Sequence, residues 1–180
     1  MITVLGLWAA PYLNDVHGLE PVARGNVLLA MGIAQAAGTL AFGPLDRRFN
    51  TRKWIVAAGA AATVTVLLAL AAIAQPPTAL AVALLIALCA VASYSVVIVT
   101  HGRSLFPDEL AGRGVTTVNL SQVAGAALLP IATGWILGGF ATAPGRHEED
   151  GYRLVFAVIA AALGCGLLVY LRARDAKPRP

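Results

Sequence analysis

Long apolar runs separated by short polar segments dominate the sequence. Crossing the roughly 30 Å hydrocarbon core of a bilayer takes about 20 residues of helix. Five runs reach that length, at residues 24–43, 54–74, 78–100, 115–140 and 152–171. They are rich in alanine and leucine and show no sustained alternation of apolar and polar positions, which argues against transmembrane strands. The pattern therefore predicts an all-α integral membrane protein with five full transmembrane helices.

A shorter apolar run opens the chain. A helix over residues 1–13 spans only about 20 Å, because each residue adds 1.5 Å. We expect a truncated N-terminal helix whose beginning is missing; a re-entrant or interfacial segment is the alternative. Residues 1–180 then form a single transmembrane domain, with residues 172–180 as a tail outside the membrane.

The composition supports a membrane environment. Hydrophobic residues make up 58% of the chain and charged residues only 12%, against about 25% charged in a typical soluble domain. A soluble protein of this size could not bury that much apolar surface, whereas lipid solvates it. The lipid bilayer is therefore the first expected partner.

The charged residues predict an orientation. Most of the 13 lysine and arginine residues lie in segments 44–53 and 101–114 and in the tail, whereas the opposite side holds Arg24, Arg146 and Arg153. Basic residues concentrate on the cytoplasmic side of membrane proteins, so we expect a multi-pass protein of the cell (inner) membrane with a cytoplasmic C-terminus. The basic clusters flank apolar runs instead of forming a stripe, so no nucleic-acid partner is expected.

No catalytic or metal-binding constellation is visible in the sequence. Cys89 and Cys165 lie inside apolar runs without CxxC spacing, and His17, His101 and His147 lie between helices or at their ends. Paired carboxylates, a Ser–His pair or a metal cluster inside the spans would be needed for intramembrane catalysis. We therefore expect neither an enzyme nor a cofactor.

The loop over residues 43–53 carries the most informative motif. Asp46 lies at the end of one helix, Arg52 and Lys53 open the next, and Asn50 can adopt the left-handed backbone that Gly adopts. A carboxylate there can pair with guanidinium groups and latch a turn that moves during gating. The alternative is an ordinary cytoplasmic loop with a weak surface pair. The candidates for a gating loop are Asp46, Arg47, Arg52 and Lys53.

This loop resembles the signature G-x-x-x-D-R-x-G-R-R between the second and third helices of each half of the major facilitator superfamily. The four gating-loop candidates match it in type and order. Gly43 lies one residue too close to Asp46, and Asn50-Thr51 replaces the single Gly. Residues 103–114 are similar to the family's loop between its tenth and eleventh helices, and residues 7–19 resemble the outer end of its seventh helix.

The resemblance implies a fold and a function. The chain would be the C-terminal half of such a transporter, from a truncated seventh helix to the twelfth, and would move a small solute by alternating access. The N-terminal half would be the missing partner, and this half would be inactive alone. Helices seven, eight, ten and eleven would line the solute cavity.

The spans assigned to the cavity wall carry most of the polar side chains. Polar groups inside a membrane are costly unless partnered, so they tend to face an interior. Asn119 and Gln122 share one helical face. Hydrogen bonds between helices, or anchoring of Trp8 and Tyr12 at the interface, are the alternatives. The candidate cavity residues are Trp8, Tyr12, Asn26, Gln35, Tyr94, Asn119 and Gln122.

A second interpretation keeps the chain as a freestanding membrane protein. The superfamily's two halves are parallel repeats, so a second copy could stand where the N-terminal half would be. The protein would then act as a homodimeric or partner-dependent subunit.

Overall fold

A computed structural model describes residues 2–143 and 146–176 as a bundle of helices. The helices are α1 (Ile2–Asp15), α2 (Pro21–Phe42), α3 (Leu45–Arg48), α4 (Lys53–Ala72), α5 (Thr78–Ala92), α6 (Ser95–Ser104), α7 (Ala111–Gly138) and α8 (Glu149–Tyr170). A 3-10 turn, Asp108–Leu110, precedes α7. Five segments are long and apolar enough to cross a membrane. The predicted all-α membrane fold is confirmed.

Successive spans run in opposite directions, so the connecting segments gather at two ends. One end, called here the basic end, contains residues 43–53, 104–110 and 171–176. The other, called the acidic end, contains residues 15–20, 73–77, 139–143 and 146–149. Polar contacts join segments within each end, such as Asp175 to Thr51 at the basic end and Gln75 to Glu149 at the acidic end.

Local sequence explains most helix limits. Pro21 occupies the first turn of α2, where its missing N–H costs nothing. Pro77 precedes α5, and Gln75 adopts a positive φ of 50° in the turn before it. Asn50 has φ 49° between α3 and α4. The left-handed position that the superfamily signature fills with glycine is therefore filled by asparagine here, as its residue type suggested.

The predicted span 78–100 is not one continuous helix. It breaks after Ala92, and α6 begins at Ser95. The Ser93 hydroxyl lies 3.0 Å from the Gln35 carbonyl oxygen on α2 and 3.1 Å from that of Cys89, so it can donate to either. The predicted span nevertheless lies within one membrane-length segment, Thr78–Ser104. The Ser93 side chain competes for backbone carbonyls in the middle of that segment, which favours the break there.

Two glycines on neighbouring helices fit against the break. A Cβ on Gly38 of α2 would lie 2.4 Å from the Ala90 carbonyl oxygen, and a Cβ on Gly59 of α4 would lie 2.5 Å from the Tyr94 Cβ. Only glycine permits such close approach. The break is therefore packed on two sides by backbone.

The core lies between α4, α5 and α8, and two of the spans stay largely outside it. One buried cluster holds Leu67, Leu85 and Phe156, and a smaller one nearer the basic end holds Val56 and Tyr94. In their most apolar windows only 11% of α2–α3 and 11% of α7 is buried, against 44% of α4. The exposed sides of these two spans are together called here the open face.

A short hairpin connects α7 to α8. β1 (Ala141–Ala143) pairs antiparallel with β2 (Arg146–His147), with Ala141 opposite His147. The hairpin lies between α7 and α8 at the acidic end, and it places His147 against the end of α1.

Candidate functional site

A cavity of about 700 Å³ opens between the α5–α6 break, α7 and α8. Small-molecule sites commonly have volumes of 300 to about 1,000 Å³ and mostly apolar walls. Tyr94 and Ser95 contribute from the break, Ser121 and Gln122 from α7, and Leu163 from α8. No charged side chain lines this cavity among the described residues. The site can therefore offer hydrogen bonds and apolar contact, but no counter-ion.

The structure brings together only part of the predicted cavity set. Tyr94 and Gln122 line this same cavity. Asn119 is exposed on α7 and Asn26 is exposed on α2, both outside the cavity lining. Gln35 is half-buried, and its backbone carbonyl contacts the Ser93 hydroxyl. Gln122 therefore lines the cavity, whereas Asn26 and Asn119 are exposed outside it.

Trp8 connects α1 to α7. Its indole N–H donates to the Thr133 hydroxyl at 2.8 Å, and that hydroxyl donates to the Leu129 carbonyl oxygen at 2.7 Å. Thr133 is fully buried. The indole thus makes the hydrogen bond between helices that was the alternative to cavity lining.

Tyr12 lies in the core, not on an open cavity. Its side chain is 1% exposed, and its ring makes edge-to-face contacts with His17, Tyr152 and Phe156 at centroid distances of 5.2–5.5 Å. A large aromatic ring gains more from such packing than from facing solvent. As placed here, Tyr12 supports α1 against α8.

Asp15, at the end of α1, collects hydrogen bonds from distant parts of the chain. The Tyr152 hydroxyl of α8 donates at 2.6 Å and the His147 backbone N–H at 3.1 Å, both to Oδ2. Asn14 donates to Oδ1 at 2.9 Å. Burial raises the pKa of Asp15, but the hydrogen bonds from Tyr152, Asn14 and His147 outweigh it and lower the pKa below its ordinary value.

Sequence reasoning missed this network. Tyr152 lies in a span that showed little polarity, and its partner is 137 residues away. A second cavity of about 540 Å³ lies beside Asp15, with His17, His147, Glu148 and Glu149 in its lining. Within the described residues, no group of three or more His, Cys, Asp and Glu side chains could hold a metal ion.

The predicted gating loop folds around one ion pair at the basic end. Arg52 Nε lies 3.2 Å from Asp46 Oδ2, and both side chains are largely buried. Lys53 begins α4, and its ammonium lies 5.3 Å from the centroid of the Trp54 ring. Arg47 is exposed on α3. A buried arginine–aspartate pair limits the relative movement of α3 and α4.

The same loop also receives residues 171–176, which follow α8. Asp175 contacts the start of α4, and the backbone of Arg174 contacts His101 of α6. Neither Asp175 nor His101 was a candidate from the sequence. Asp175 lies 124 residues from Thr51, and His101 lies 73 residues from Arg174, so no local pattern pairs them.

The fold and the motif loop agree with one family comparison. A sequence profile described as Major Facilitator Superfamily matches residues 1–180, the whole chain. No curated protein and no solved structure matches it.

Proposed function

We propose, from the premise that the chain belongs to the Major Facilitator Superfamily, that it forms the C-terminal half of a secondary transporter. Members of this family move small solutes across membranes, and the chain is a multi-pass membrane protein. In this proposal the solute crosses by alternating access, and the chain alone is inactive because it supplies one wall of the pathway.

The observation that supports the proposal is the open face along α2 and α7. Asn26, Asn119 and Gln122 are exposed there and make no hydrogen bond to the part of the chain that the structure describes. An unpartnered amide facing lipid is costly, whereas one facing a water-filled pathway or a second domain is not. We infer that this face meets the N-terminal half and the solute.

The side chains on this face restrict the chemistry of the solute. Its amides and hydroxyls suit an uncharged solute with hydrogen-bonding groups, and any charge on the solute would need a counter-ion from the other half. The basic end faces the cytoplasm in this proposal, because it holds most of the lysine and arginine residues. The C-terminus is then cytoplasmic.

Cysteine accessibility tests the pathway without knowledge of the solute. After replacement of Cys89 and Cys165, single-cysteine variants Asn119→Cys and Gln122→Cys would be treated in source membranes with a charged, membrane-impermeant thiosulfonate. We expect both to react. Thr65→Cys, an exposed polar position on α4, is the matched control and should stay unreactive because it faces lipid. Equal failure at all three positions would contradict the proposal.

Transport itself is tested in proteoliposomes. Joined to an N-terminal half, the chain should accumulate or export a solute from a panel of neutral and charged compounds, and alone it should do neither. Transport by the isolated chain would show that the half is sufficient.

A second candidate rests on the same open face. A second copy of the chain could cover α2 and α7, which would make the protein a homodimeric or partner-dependent subunit. Disulfide crosslinking of Leu29→Cys or Val123→Cys variants, at exposed positions on these helices, distinguishes the two. A product of twice the 18.5 kDa chain mass supports the homodimer, whereas a product with a different partner supports the transporter half.

A further inference from the structure

Residues 171–176, called here the strap, turn back across the basic end after α8. Backbone hydrogen bonds from Leu171, Arg172 and Ala173 to the last turn of α8, at 2.9–3.1 Å, shape its beginning. A basic tail that served only to attract anionic lipid would need no such contacts. The strap instead lies against α4 and α6, which suggests a role inside the bundle.

One carboxylate attaches the strap to α4. Asp175 Oδ2 accepts a hydrogen bond from the Thr51 hydroxyl at 2.6 Å, and Oδ1 accepts from the backbone N–H groups of Arg52 and Lys53 at 3.2 and 3.1 Å. These N–H groups lie at the start of α4, where a helix has unpaired donors and a partial positive charge. Asp175 therefore caps α4 from a distance of more than 120 residues in sequence.

A buried histidine attaches the strap to α6. His101 is 1% exposed, its Nδ1 contacts the Tyr170 hydroxyl, and its Nε2 lies 3.0 Å from the Arg174 carbonyl oxygen. A neutral ring that donates from Nε2 and accepts at Nδ1 satisfies these two contacts. The Ala176 N–H lies farther from Nε2, at 3.4 Å, and would need that nitrogen as an acceptor. The Tyr170 ring also packs edge-on against the imidazole at 5.6 Å.

The α6 helix depends on these contacts because it is not continuous with α5. Around the break, the N–H groups of Ser93, Tyr94 and Val96 make only long hydrogen bonds of 3.3–3.4 Å to carbonyls three residues earlier. Breaks of this kind are where a helix bends. On its other side α6 packs on α7, where a Cβ on Gly102 would lie 2.5 Å from Val118 Cγ2.

We propose that the strap locks α6 to the α4–α8 pair, and that its release at Asp175 lets α6 pivot about the break at Ser93–Tyr94. The two attachments differ in what they join: Asp175 holds the strap on α4, and His101 holds α6 on the strap through Arg174 and on the end of α8 through Tyr170. Loss of the first therefore frees the strap and loosens α6, which keeps its contact with Tyr170, whereas loss of the second frees α6 alone. If Asp175 only capped α4, its loss would leave α6 unchanged. The proposed lock does not depend on the identity of the solute.

Hydrogen–deuterium exchange of the full chain in nanodiscs tests the proposal. For Asp175→Ala we expect about tenfold faster exchange at Arg52 and Lys53, because hydrogen bonds to a charged acceptor are lost. The same variant should speed exchange over residues 96–104 of α6 by a smaller factor, because the contact of His101 with Tyr170 remains, and leave residues 82–90 of α5 unchanged. Faster exchange at Arg52 and Lys53 with α6 unchanged would mean that the strap only caps α4, and it would contradict the proposal.

Two further variants complete the test. His101→Leu should speed exchange in α6 while Arg52 and Lys53 stay protected, and protection of α6 in this variant would overturn the proposal. Asp150→Ala, at an exposed carboxylate of the opposite end, is the matched control and should change neither region. If Asp175→Ala does not fold, Thr51→Val removes one of the three hydrogen bonds and should give a smaller increase in the same two regions.

Discussion

At each end of the bundle one aspartate, Asp15 or Asp175, accepts hydrogen bonds from distant segments of the chain, and the two differ in their donors. At the acidic end, Asp15 accepts hydrogen bonds from the Tyr152 hydroxyl and the His147 backbone. At the basic end, Asp175 accepts from Thr51 and from two backbone N–H groups at the start of α4. As whole residues both aspartates are half-buried. The Asp15 side chain is 2% exposed and its donor Tyr152 is fully buried, whereas the three residues that donate to Asp175 are all half-buried.

The difference indicates which end can open. A buried carboxylate leaves orphaned donors when its contacts break, because water cannot replace them. At the half-buried Asp175, water can solvate both the carboxylate and the helix N–H groups. We therefore expect the Asp15 network to act as part of the core and the Asp175 contacts to act as a reversible attachment.

The largest expected effect is at Asp15. Asp15→Ala removes the acceptor for a buried hydroxyl and for the His147 N–H, and should lower the free energy of unfolding by about 3 kcal/mol. Thermal or denaturant unfolding in detergent measures it. Asp15→Asn keeps an acceptor oxygen of the same size and should recover part of the loss. A loss from Asp15→Ala no larger than that from Asp175→Ala would contradict the proposed difference between the two aspartates.

A smaller effect is expected at Tyr152. Tyr152→Phe deletes one donor to Asp15 while His147 and Asn14 remain, so the free energy of unfolding should fall by about 1 kcal/mol. The same unfolding experiment measures it. Combined with Asp15→Ala, the change should add little, because both remove the same hydrogen bond. Full additivity would show that the two side chains act separately.

The exposed pair at the acidic end should contribute little. Arg153 lies 2.9 Å from Asp150, and the aspartate side chain is 69% exposed. Asp150→Asn should change the free energy of unfolding by about 0.5 kcal/mol or less. A loss comparable to that of Tyr152→Phe would mean that exposure does not distinguish the carboxylates of this end.

No effect is expected from mild acid at either aspartate. Hydrogen bonds from Thr51, Lys53 and Arg52 outweigh burial and lower the pKa of Asp175 below its ordinary value of 3.8, and the pKa of Asp15 is lowered likewise. A lowered carboxyl pKa gives stability that is present above the unfolded-state pKa and is lost as pH falls through the folded-state value. Amide protection at Arg52 and Lys53 should therefore stay constant from about pH 8 to pH 5. Loss of protection within that range would show that another group controls the strap.

The sequence was most informative where the signal is local. Length and apolarity predict the five spans because a bilayer imposes both on any helix that crosses it. The motif loop and Asn50 were also visible locally, since turn geometry depends on a few adjacent residues. The break between α5 and α6 was not predicted, because the Gln35 carbonyl that Ser93 contacts and the glycines packed against the break, Gly38 and Gly59, all lie on other helices.

The residues of the candidate site were likewise predicted where the signal is local and missed where it is not. Polarity inside a span was enough to place Tyr94 and Gln122 in one cavity lining. It could not separate Tyr12, whose ring is in the core, from an aromatic residue that faces a pathway. Asp15 and Asp175 could not be paired with their partners because each contact spans more than 120 residues.

The two glycines against the break also decide how the protein can be engineered for structural work. Alanine substitution of helix glycines usually raises stability by reducing the entropy of the unfolded chain. Gly164 and Gly166 on α8 have open space where a Cβ would stand, so they suit such thermostabilised variants. Gly38 and Gly59 do not, because a single methyl group there would collide with the Ala90 carbonyl and the Tyr94 side chain. A consensus or alanine library should therefore keep these two positions fixed.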